Sequence, residues 1–263
     1  MKSLKNKFSN RQELVNYVKE LSSWSAGSPS SYTGGIETAT SILESLDLVG
    51  YQNTRNFGSG KVTRLSPYIS HGILSLNTVR NKALSEPEDL SSVHHFIQEL
   101  SWRDFWQKIA YQRPENLWED LEPYKTGFSA DDYSEELPRD ITKGDTDILC
   151  INQFIHGLVQ EGYMHNHARM YIASYVVHFR RIKWQAGARW FLEHLIDGDE
   201  ASNNFSWQWV ASTFSNKPYI FNLANIAHYF DGIVNTDPSK NREIDDTYEN
   251  LSQKLFPKRD LNL

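Results

Sequence analysis

The chain has 263 residues, enough to bury a large hydrophobic core without disulfide bonds or structural metals. It contains no apolar run near the roughly 20 residues of a membrane span and no N-terminal secretory signal, so we expect a cytoplasmic protein without membrane contact. A single cysteine, Cys150, excludes an internal disulfide and a thiolate metal cluster. The formal net charge of -6 argues against a uniformly basic coat, whereas the 13% aromatic content favours flat surfaces for stacking.

Hydrophobic periodicity predicts helices throughout the N-terminal part of the chain. A capping-box spacing from Ser9 to Gln12 opens the first of them. The turn-rich segment 27–35 separates this helix from a second one over residues 36–46. Residues 92–109 have apolar side chains on two adjoining faces, which predicts a central helix buried over more than half of its circumference.

The second half of the chain is also predicted to be helical. Residues 113–144 carry three prolines and little periodicity, so we expect a long surface connection with one short helix. Asp147 is the candidate N-cap of the next helix, and two more helices are expected over residues 164–182 and 187–196. Because no segment alternates β-branched and polar residues, the sequence predicts an all-α fold, a large single helical domain without internal repeats.

Glycine-rich and histidine-rich segments suggest other functions, but their spacing excludes each of them. The glycines before Lys61 are not a Walker A loop, because Arg55 and Val62 stand where that loop needs glycine and a hydroxyl residue. Neighbouring histidines at 94–95 and 165–167 do not share a helical face, so we expect no metal site.

Polar residues are dense in segments that otherwise look buried. Arg169 lies in an apolar segment where an unpaired charge is costly, so it needs a carboxylate or an anionic ligand, and Asp197 and Asp199 are the nearest candidates. The run 203–209 places two asparagine amides and two indoles together, which suits a planar heteroaromatic ligand. A core tryptophan cluster with structural caps explains the same residues, and composition does not choose between the two interpretations.

Four blocks of the sequence resemble the photolyase/cryptochrome family, specifically its helical FAD-binding half. In the family's order, they are Tyr51–Tyr68, Phe96–Phe105, Gly162–Met170 and Leu195–Thr213. The similarity covers roughly residues 34–230. The resemblance implies an FAD-binding helical domain over 34–230, an N-terminal helix and linker over 1–33, and a C-terminal extension over 231–263 that packs on the same domain.

The resemblance implies a noncovalent, U-shaped FAD. In the family's arrangement, residues 63–66 bind the phosphates, Arg169 pairs with Asp197, and Asn203 faces flavin N5 and tunes its redox chemistry. The cofactor-binding residues that the resemblance implies are Tyr51, Thr63, Arg64, Leu65, Ser66, Phe96, Arg103, Asn166, Arg169, Phe191, Asp197, Asp199 and Asn203.

The repair branch of the family implies an activity: reduced flavin absorbs light and gives an electron to a cyclobutane pyrimidine dimer flipped out of UV-damaged DNA. The residues that would contact the lesion are Glu99, Trp102, Asn166, Met170 and Trp209. The resemblance assigns catalytic roles to Glu99, Trp102 and Asn203, and places Trp207 and Trp184 in the relay that photoreduces the flavin. A third relay tryptophan falls in the poorly matched stretch 113–144 and is not assigned.

Departures from the family leave an alternative open. The family's N-terminal α/β domain has no counterpart in this sequence, so we expect no second, antenna chromophore. His167 replaces an arginine that usually contacts DNA, and with the charge of -6 it predicts weak, salt-dependent binding to undamaged DNA. The alternative is a blue-light photoreceptor or redox flavoprotein that does not repair DNA, and a third possibility is a helical scaffold without cofactor.

Overall fold

In the computed structural model of the protein, residues 3–21, 28–85 and 89–258 are described. The remaining residues of the predicted N-terminal linker and C-terminal extension lie outside the described residues. Within these three ranges the chain forms helices and loops, with a single isolated bridge between Ser134 and Ile182 and no named strand. The all-α prediction is therefore confirmed. No helix in the same ranges is long and apolar enough to cross a membrane.

The described residues form thirteen α-helices. They are α1 (Arg11–Leu21), α2 (Ile36–Glu44), α3 (Leu48–Thr54), α4 (Ser66–Ser70), α5 (Leu76–Ser85), α6 (His94–Gln112), α7 (Arg139–Lys143), α8 (Leu149–Glu161), α9 (Asn166–Ser174), α10 (Trp184–His194), α11 (Glu200–Ala211), α12 (Leu223–Phe230) and α13 (Tyr248–Leu255). Short 3-10 turns connect several of them, and α9 continues as one π-helical turn, Tyr175–Phe179.

The main hydrophobic core lies between α8, α9, α10 and α11. Ile155 of α8, Ile172 of α9 and Ala188 of α10 are fully excluded from solvent in this cluster. A second cluster, in the N-terminal half, joins α2, α5 and the start of α6 through Ala39, Val79 and other buried side chains. The candidate site described below lies where these two clusters face each other.

The predicted connection 113–144 is mostly exposed or half-buried and contains one short α-helix, α7, as expected, but a few of its side chains also enter the core. Thr126 and Ile141 are fully buried there, and Tyr124 stacks on Tyr133 with ring centroids 4.4 Å apart. The buried side chain of Gln208 on α11 holds this segment in place, because its Nε2 donates to the Asn116 carbonyl at 2.8 Å. Irregular backbone of this kind gives no periodic signal in the sequence, since aromatic packing and buried amides fix it.

Two predicted helix starts are displaced. The cap of α1 is Asn10, whose Oδ1 accepts from the backbone N–H of Glu13 at 2.9 Å, and not the predicted Ser9–Gln12 pair. The helix that follows 147 begins at Leu149 without a side-chain cap, so Asp147 does not have the predicted role. Thr146 instead donates its backbone N–H to Asn152 Oδ1 at 2.8 Å, which fixes the entry into α8.

Helix α6 is less buried than its two apolar faces predicted. Only Phe96 and Trp106 are buried, whereas Trp102 is 45% and Phe105 38% exposed. Trp106 stacks on Trp102 with centroids 5.4 Å apart and packs on Phe205 in a third, small core cluster, so the exposed aromatic surface of this helix consists of Trp102 and Phe105.

The described parts of both terminal regions pack on the helical domain. Thr33 accepts a hydrogen bond from the Tyr68 hydroxyl at 2.6 Å, and the Ser30 hydroxyl donates to the carbonyl of Glu161 at 2.5 Å. In the C-terminal region, Ile244 and Leu251 are buried. The domain boundaries at residues 34 and 230 stay predictions.

Candidate functional site

Two adjoining cavities open between the N-terminal helices and the main core. The first has a volume of about 260 Å³ and is walled by α3, the loop before α4, and α6. The second, of about 150 Å³, lies deeper, against α10 and α11. Ser66, Arg103, Arg169 and Asp197 line both, so the two cavities adjoin at these side chains.

The predicted pair of Arg169 and Asp197 lies at the junction of the two cavities. Arg169 Nη2 donates to Asp197 Oδ2 at 2.8 Å and to Oδ1 at 3.1 Å. Asp197 is 6% exposed, and its Oδ2 also accepts from the Ser66 hydroxyl at 2.6 Å. A buried carboxylate is tolerated only when it is paired and hydrogen-bonded, and both conditions are met here.

Asp199 joins α11 to α6 at the floor of the second cavity. Its Oδ1 caps α11 by accepting from the backbone N–H of Ser202 at 2.8 Å. Its Oδ2 accepts from Gln107 Nε2 at 2.7 Å and lies 3.3 Å from Arg103 Nη2. The carboxylate thereby fixes the start of the helix that carries Asn203.

Asn203 has a defined orientation towards the second cavity. Its Nδ2 donates to the Ala188 carbonyl at 3.1 Å and to Asn204 Oδ1 at 2.9 Å. Asn204 in turn donates to the Leu117 carbonyl at 2.6 Å, which fixes which amide atom is the donor. Asn203 Oδ1 is the atom left to accept a hydrogen bond from a ligand.

An aromatic and cationic cluster closes the outer end of the first cavity. Arg64 adopts a left-handed backbone with φ 52°, which is uncommon for a residue other than glycine. Its guanidinium carbon lies 5.5 Å from the ring centroid of Tyr163 and 5.9 Å from that of Tyr32. Burial raises the pKa of the Tyr163 hydroxyl, so both rings stay neutral beside this cation.

The residues present suit the FAD that the resemblance implies. The Ser202 hydroxyl lines both cavities and is buried without a hydrogen-bond partner, an unsatisfied group that a polar ligand would satisfy. Arg64 and Arg103 supply positive charge for phosphates, and Phe96 and Phe191 supply apolar walls for a flat ring system. All the cofactor-binding residues predicted from the resemblance line one cavity or the other.

Two of the predicted lesion residues lie at the wide end of the first cavity. Trp102 and Glu99 are on α6, and the Glu99 Oε1 accepts from Arg55 Nη1 at 2.8 Å. Burial first, and the charge of Glu99 second, raise the pKa of the neighbouring Tyr51 to about 12. This end of the first cavity therefore carries the indole of Trp102, which can stack on a base, beside the Glu99 carboxylate, which is paired with Arg55.

The other predicted tryptophans and Met170 differ in their placement. Met170 and Trp207 line the second cavity, and Trp184 is fully buried behind it. Trp209 lines neither cavity, because positions 203, 206, 207 and 210 form the inward face of α11. The Trp209 ring lies 5.8 Å from that of Tyr219, in a separate cleft, so the geometry does not support a direct lesion contact.

Sequence reasoning missed several residues of the site. Arg55, Tyr163 and Ser202 line the first cavity but were assigned no role. Arg55 follows Tyr51 by four residues, and this same-face spacing could have identified it. Ser202 carries no such signal, because only the turn made by Asp199 directs it into the cavity.

Comparisons with known proteins agree with this geometry. The family described as the FAD binding domain of DNA photolyase matches residues 96–235. A deoxyribodipyrimidine photo-lyase of Alkalihalophilus pseudofirmus is 35% identical over 191 residues, which are 70% of this chain and 39% of that protein.

Two solved structures share the fold. A class III photolyase of Agrobacterium tumefaciens has a TM-score of 0.65 and 29% identity, covering 81% of this chain and 45% of that one. A Synechocystis cryptochrome has a TM-score of 0.69 over 86% of this chain and 51% of that one, and at 22% identity it shows the fold alone.

The chain spans 39% of the length of the Alkalihalophilus relative and 41% of a photo-lyase from Streptomyces griseus. The part that matches the family model, residues 96–235, contains the Arg169–Asp197 pair. FAD is thereby confirmed as the expected cofactor. The chain belongs to the photolyase/cryptochrome family and contains that family's FAD-binding helical domain.

Proposed function

We propose that the protein repairs cyclobutane pyrimidine dimers in UV-damaged DNA with light and reduced FAD. The observation that carries the proposal is that Glu99 and Trp102 line the same cavity as Arg169 and Asp197, and that Asn203 lines the adjoining cavity. Residues suited to a flipped pyrimidine pair therefore lie close to residues suited to a flavin.

In this proposal, FAD supplies a light-excited electron to the lesion, and the chain binds and orients both partners. Trp102 stacks on the flipped pyrimidines, and Glu99 accepts a hydrogen bond from a pyrimidine N–H. Arg55 holds the Glu99 carboxylate in place from α3. Met170, on the wall of the second cavity, helps to keep water away from the reacting groups.

On the cofactor side, the Arg169–Asp197 pair and Ser66 orient the ligand at the junction of the cavities. Asn203 Oδ1 accepts a hydrogen bond from a protonated flavin N5, since its Nδ2 is already committed to Ala188 and Asn204. This arrangement favours the reduced cofactor, which is the form that can donate an electron.

The experiment uses the protein loaded with FAD and reduced chemically in the absence of oxygen. A single-stranded oligonucleotide with one thymine dimer is illuminated with blue light, and the recovery of intact thymines is measured by chromatography. The proposal predicts recovery in the light and none in the dark. Absence of light-dependent recovery from single-stranded and double-stranded substrates contradicts it.

The Arg55–Glu99 ion pair also favours a second candidate, a flavin photoreceptor or redox flavoprotein that does not repair DNA. Arg55 already occupies Oε1 of the carboxylate that would bind the lesion, and the net charge of -6 opposes DNA binding. This candidate predicts a photoreducible flavin in a protein that leaves the dimer intact.

A further inference from the structure

The segment that precedes α2 contacts both halves of the fold beside the first cavity. The Ser31 hydroxyl and backbone N–H both donate to Glu161 Oε2 at the end of α8, at 2.5 and 3.2 Å. Two residues further on, the Thr33 carbonyl accepts from the hydroxyl of Tyr68, which is buried in the N-terminal cluster. These hydrogen bonds hold the chain on either side of Tyr32 and so fix the position of its ring.

Tyr32, Tyr163 and Arg64 form a compact cluster at the outer end of the first cavity. The guanidinium carbon of Arg64 lies 5.9 Å from the ring centroid of Tyr32 and 5.5 Å from that of Tyr163. The two rings are 5.4 Å apart and tilted by 39°. Arg64 and Tyr163 line the cavity, whereas Tyr32 lines neither cavity and lies behind them.

The two rings are the contacts that orient the Arg64 side chain. Among the described residues, Arg64 makes no hydrogen bond or ion pair, and its backbone is left-handed. It also shares the Tyr163 ring with Arg169, whose guanidinium carbon lies 5.4 Å from the centroid, and two cations at one ring repel each other. Arg169 is paired with Asp197, but Arg64 has only its second ring, that of Tyr32, to offset this repulsion.

We propose that Tyr32 is a positioning residue of the cofactor site, and that its ring holds the Arg64 guanidinium ready for a phosphate group of FAD. An arginine that is already oriented loses less conformational entropy when its ligand binds, so the ring strengthens binding without touching the ligand. The segment 28–33 then belongs to the cofactor site, instead of the linker that the sequence predicts. The inference concerns FAD binding alone, so a failure of the repair assay leaves it unaffected.

The ring of Tyr32 has this role, and its hydroxyl group does not. The hydroxyl is buried and has no hydrogen-bond partner among the described residues. Tyr32→Phe therefore removes no hydrogen bond within these residues and keeps a ring beside Arg64. Tyr32→Leu and Tyr32→Met keep an apolar side chain but remove the ring, so the three variants separate the cation–ring contact from general packing of the segment.

Equilibrium titration of the cofactor-free protein with FAD tests the inference. We expect Tyr32→Leu and Tyr32→Met to weaken binding about fivefold or more, the size expected for one cation–π contact. Tyr32→Phe should bind FAD like the parent protein. The matched control is Tyr111→Leu, which removes a tyrosine that is 90% exposed, and circular dichroism should show that the variants are folded.

A second set of titrations asks whether the effect passes through Arg64. In an Arg64→Gln background the cation that the ring orients is absent, so adding Tyr32→Leu should change the affinity for FAD by less than about twofold. The two substitutions are then strongly non-additive, which a general loosening of the segment would not produce.

A measurement on the cofactor-free protein checks the contact itself. With ¹⁵N-labelled arginine, the Nε–H signal that Arg64→Gln removes should shift in Tyr32→Leu, because an aromatic ring changes the magnetic field at nearby nuclei. The same signal should stay close to its parent position in Tyr32→Phe and in Tyr111→Leu. An unchanged signal in Tyr32→Leu would contradict the contact and the proposal with it.

Three results of the titrations would also overturn the inference. The first is a folded Tyr32→Leu that binds FAD as tightly as Tyr111→Leu, which would show that Arg64 needs no support from this segment. The second is an equal loss of affinity in Tyr32→Phe and Tyr32→Leu, which would assign the effect to the hydroxyl group. The third is a loss that persists in full in the Arg64→Gln background, since Tyr32 would then act by another route.

Discussion

At the scale of single residues, the site depends on polar side chains that already use some of their hydrogen-bonding atoms in contacts within the protein. Asn203 commits its Nδ2 to two internal acceptors, and Glu99 shares its carboxylate with Arg55. Each therefore presents a defined remaining group to a ligand. Such residues can be replaced with nearly isosteric ones, which makes their contributions measurable.

We predict that Asn203→Ala makes the bound flavin harder to reduce. The variant loses one hydrogen bond from N5–H, which is about 1 kcal/mol in favour of the reduced cofactor. A redox titration of the FAD-loaded protein measures the shift in midpoint potential. An unchanged or more positive potential would contradict the role given to Oδ1.

We predict that Glu99→Gln weakens binding of dimer-containing DNA by about tenfold or more, because a hydrogen bond to a charged group contributes roughly 1.5–3 kcal/mol. The exposed Glu115→Gln is the control. Fluorescence anisotropy with damaged and undamaged oligonucleotides gives both affinities. We expect only the affinity for the damaged oligonucleotide to fall. An equal fall in affinity for the undamaged oligonucleotide would contradict a direct contact between Glu99 and the lesion.

At the scale of helices, close packing of α10 on α11 fixes the inner wall of the site. Gly187 is the point of contact, since a Cβ there would meet the Trp207 ring at 2.2 Å. An indole held between Phe191 and backbone cannot give way easily, and Phe191 itself lies 4.9 Å from it edge to face.

Gly187→Ala should therefore destabilise the protein by about 1–3 kcal/mol through overpacking. Gly157→Ala on α8 is the matched control, because nothing lies within 4 Å of its added Cβ and alanine favours a helix by up to about 1 kcal/mol. Urea unfolding of both variants measures the difference. Equal midpoints for the two would show that the α10–α11 contact is looser than described.

The extent to which the sequence predicted these helices follows from how each is stabilised. Helices 148–158 and 187–196 were predicted within a few residues because an apolar stripe at helical spacing makes their core contacts. The connection 113–144 was predicted with its one short helix, but its attachment to the core was not, because Gln208 and Asn204 hold it through its backbone carbonyls, and such long-range bonds leave no local pattern. Helix α6 has apolar residues on two faces, but two of the aromatic ones, Trp102 and Phe105, are exposed instead of buried in the core.

The same distinction applies to the site. The Arg169–Asp197 pair could be anticipated, since a charge in an apolar segment requires a partner. The resemblance supplied the remaining cofactor residues. Ser202 could not be found from the sequence, because the cap that Asp199 forms on α11 directs it into the cavities.

For the whole molecule, buried neutral histidines couple stability to pH. His178 is fully buried, its Nε2 lies 2.9 Å from the Val210 carbonyl, and the Phe256 ring lies edge-on to it. Burial lowers the pKa of His178 from 6.5 to about 4. The unfolded chain therefore binds a proton at a pH where the folded protein does not.

We predict that the free energy of unfolding falls as the pH is lowered from about 6.5 to about 4, by up to about 3 kcal/mol from this histidine. His178→Gln keeps a hydrogen-bond donor for the Val210 carbonyl. In this variant the free energy of unfolding should change less between about pH 6.5 and about pH 4. Urea unfolding at successive pH values gives the slope. An identical pH dependence in the variant would mean that other groups account for acid sensitivity.

The central claim is that Arg169, Asp197 and their neighbours enclose a flavin, and an equilibrium titration of the cofactor-free protein with FAD tests it most directly. The account predicts one FAD per chain and binding weakened about tenfold or more in Arg169→Gln. The exposed Arg113→Gln should match the parent, and circular dichroism should show that all three proteins are folded. Equal affinities in a folded Arg169→Gln, or no binding by the parent, would contradict the account.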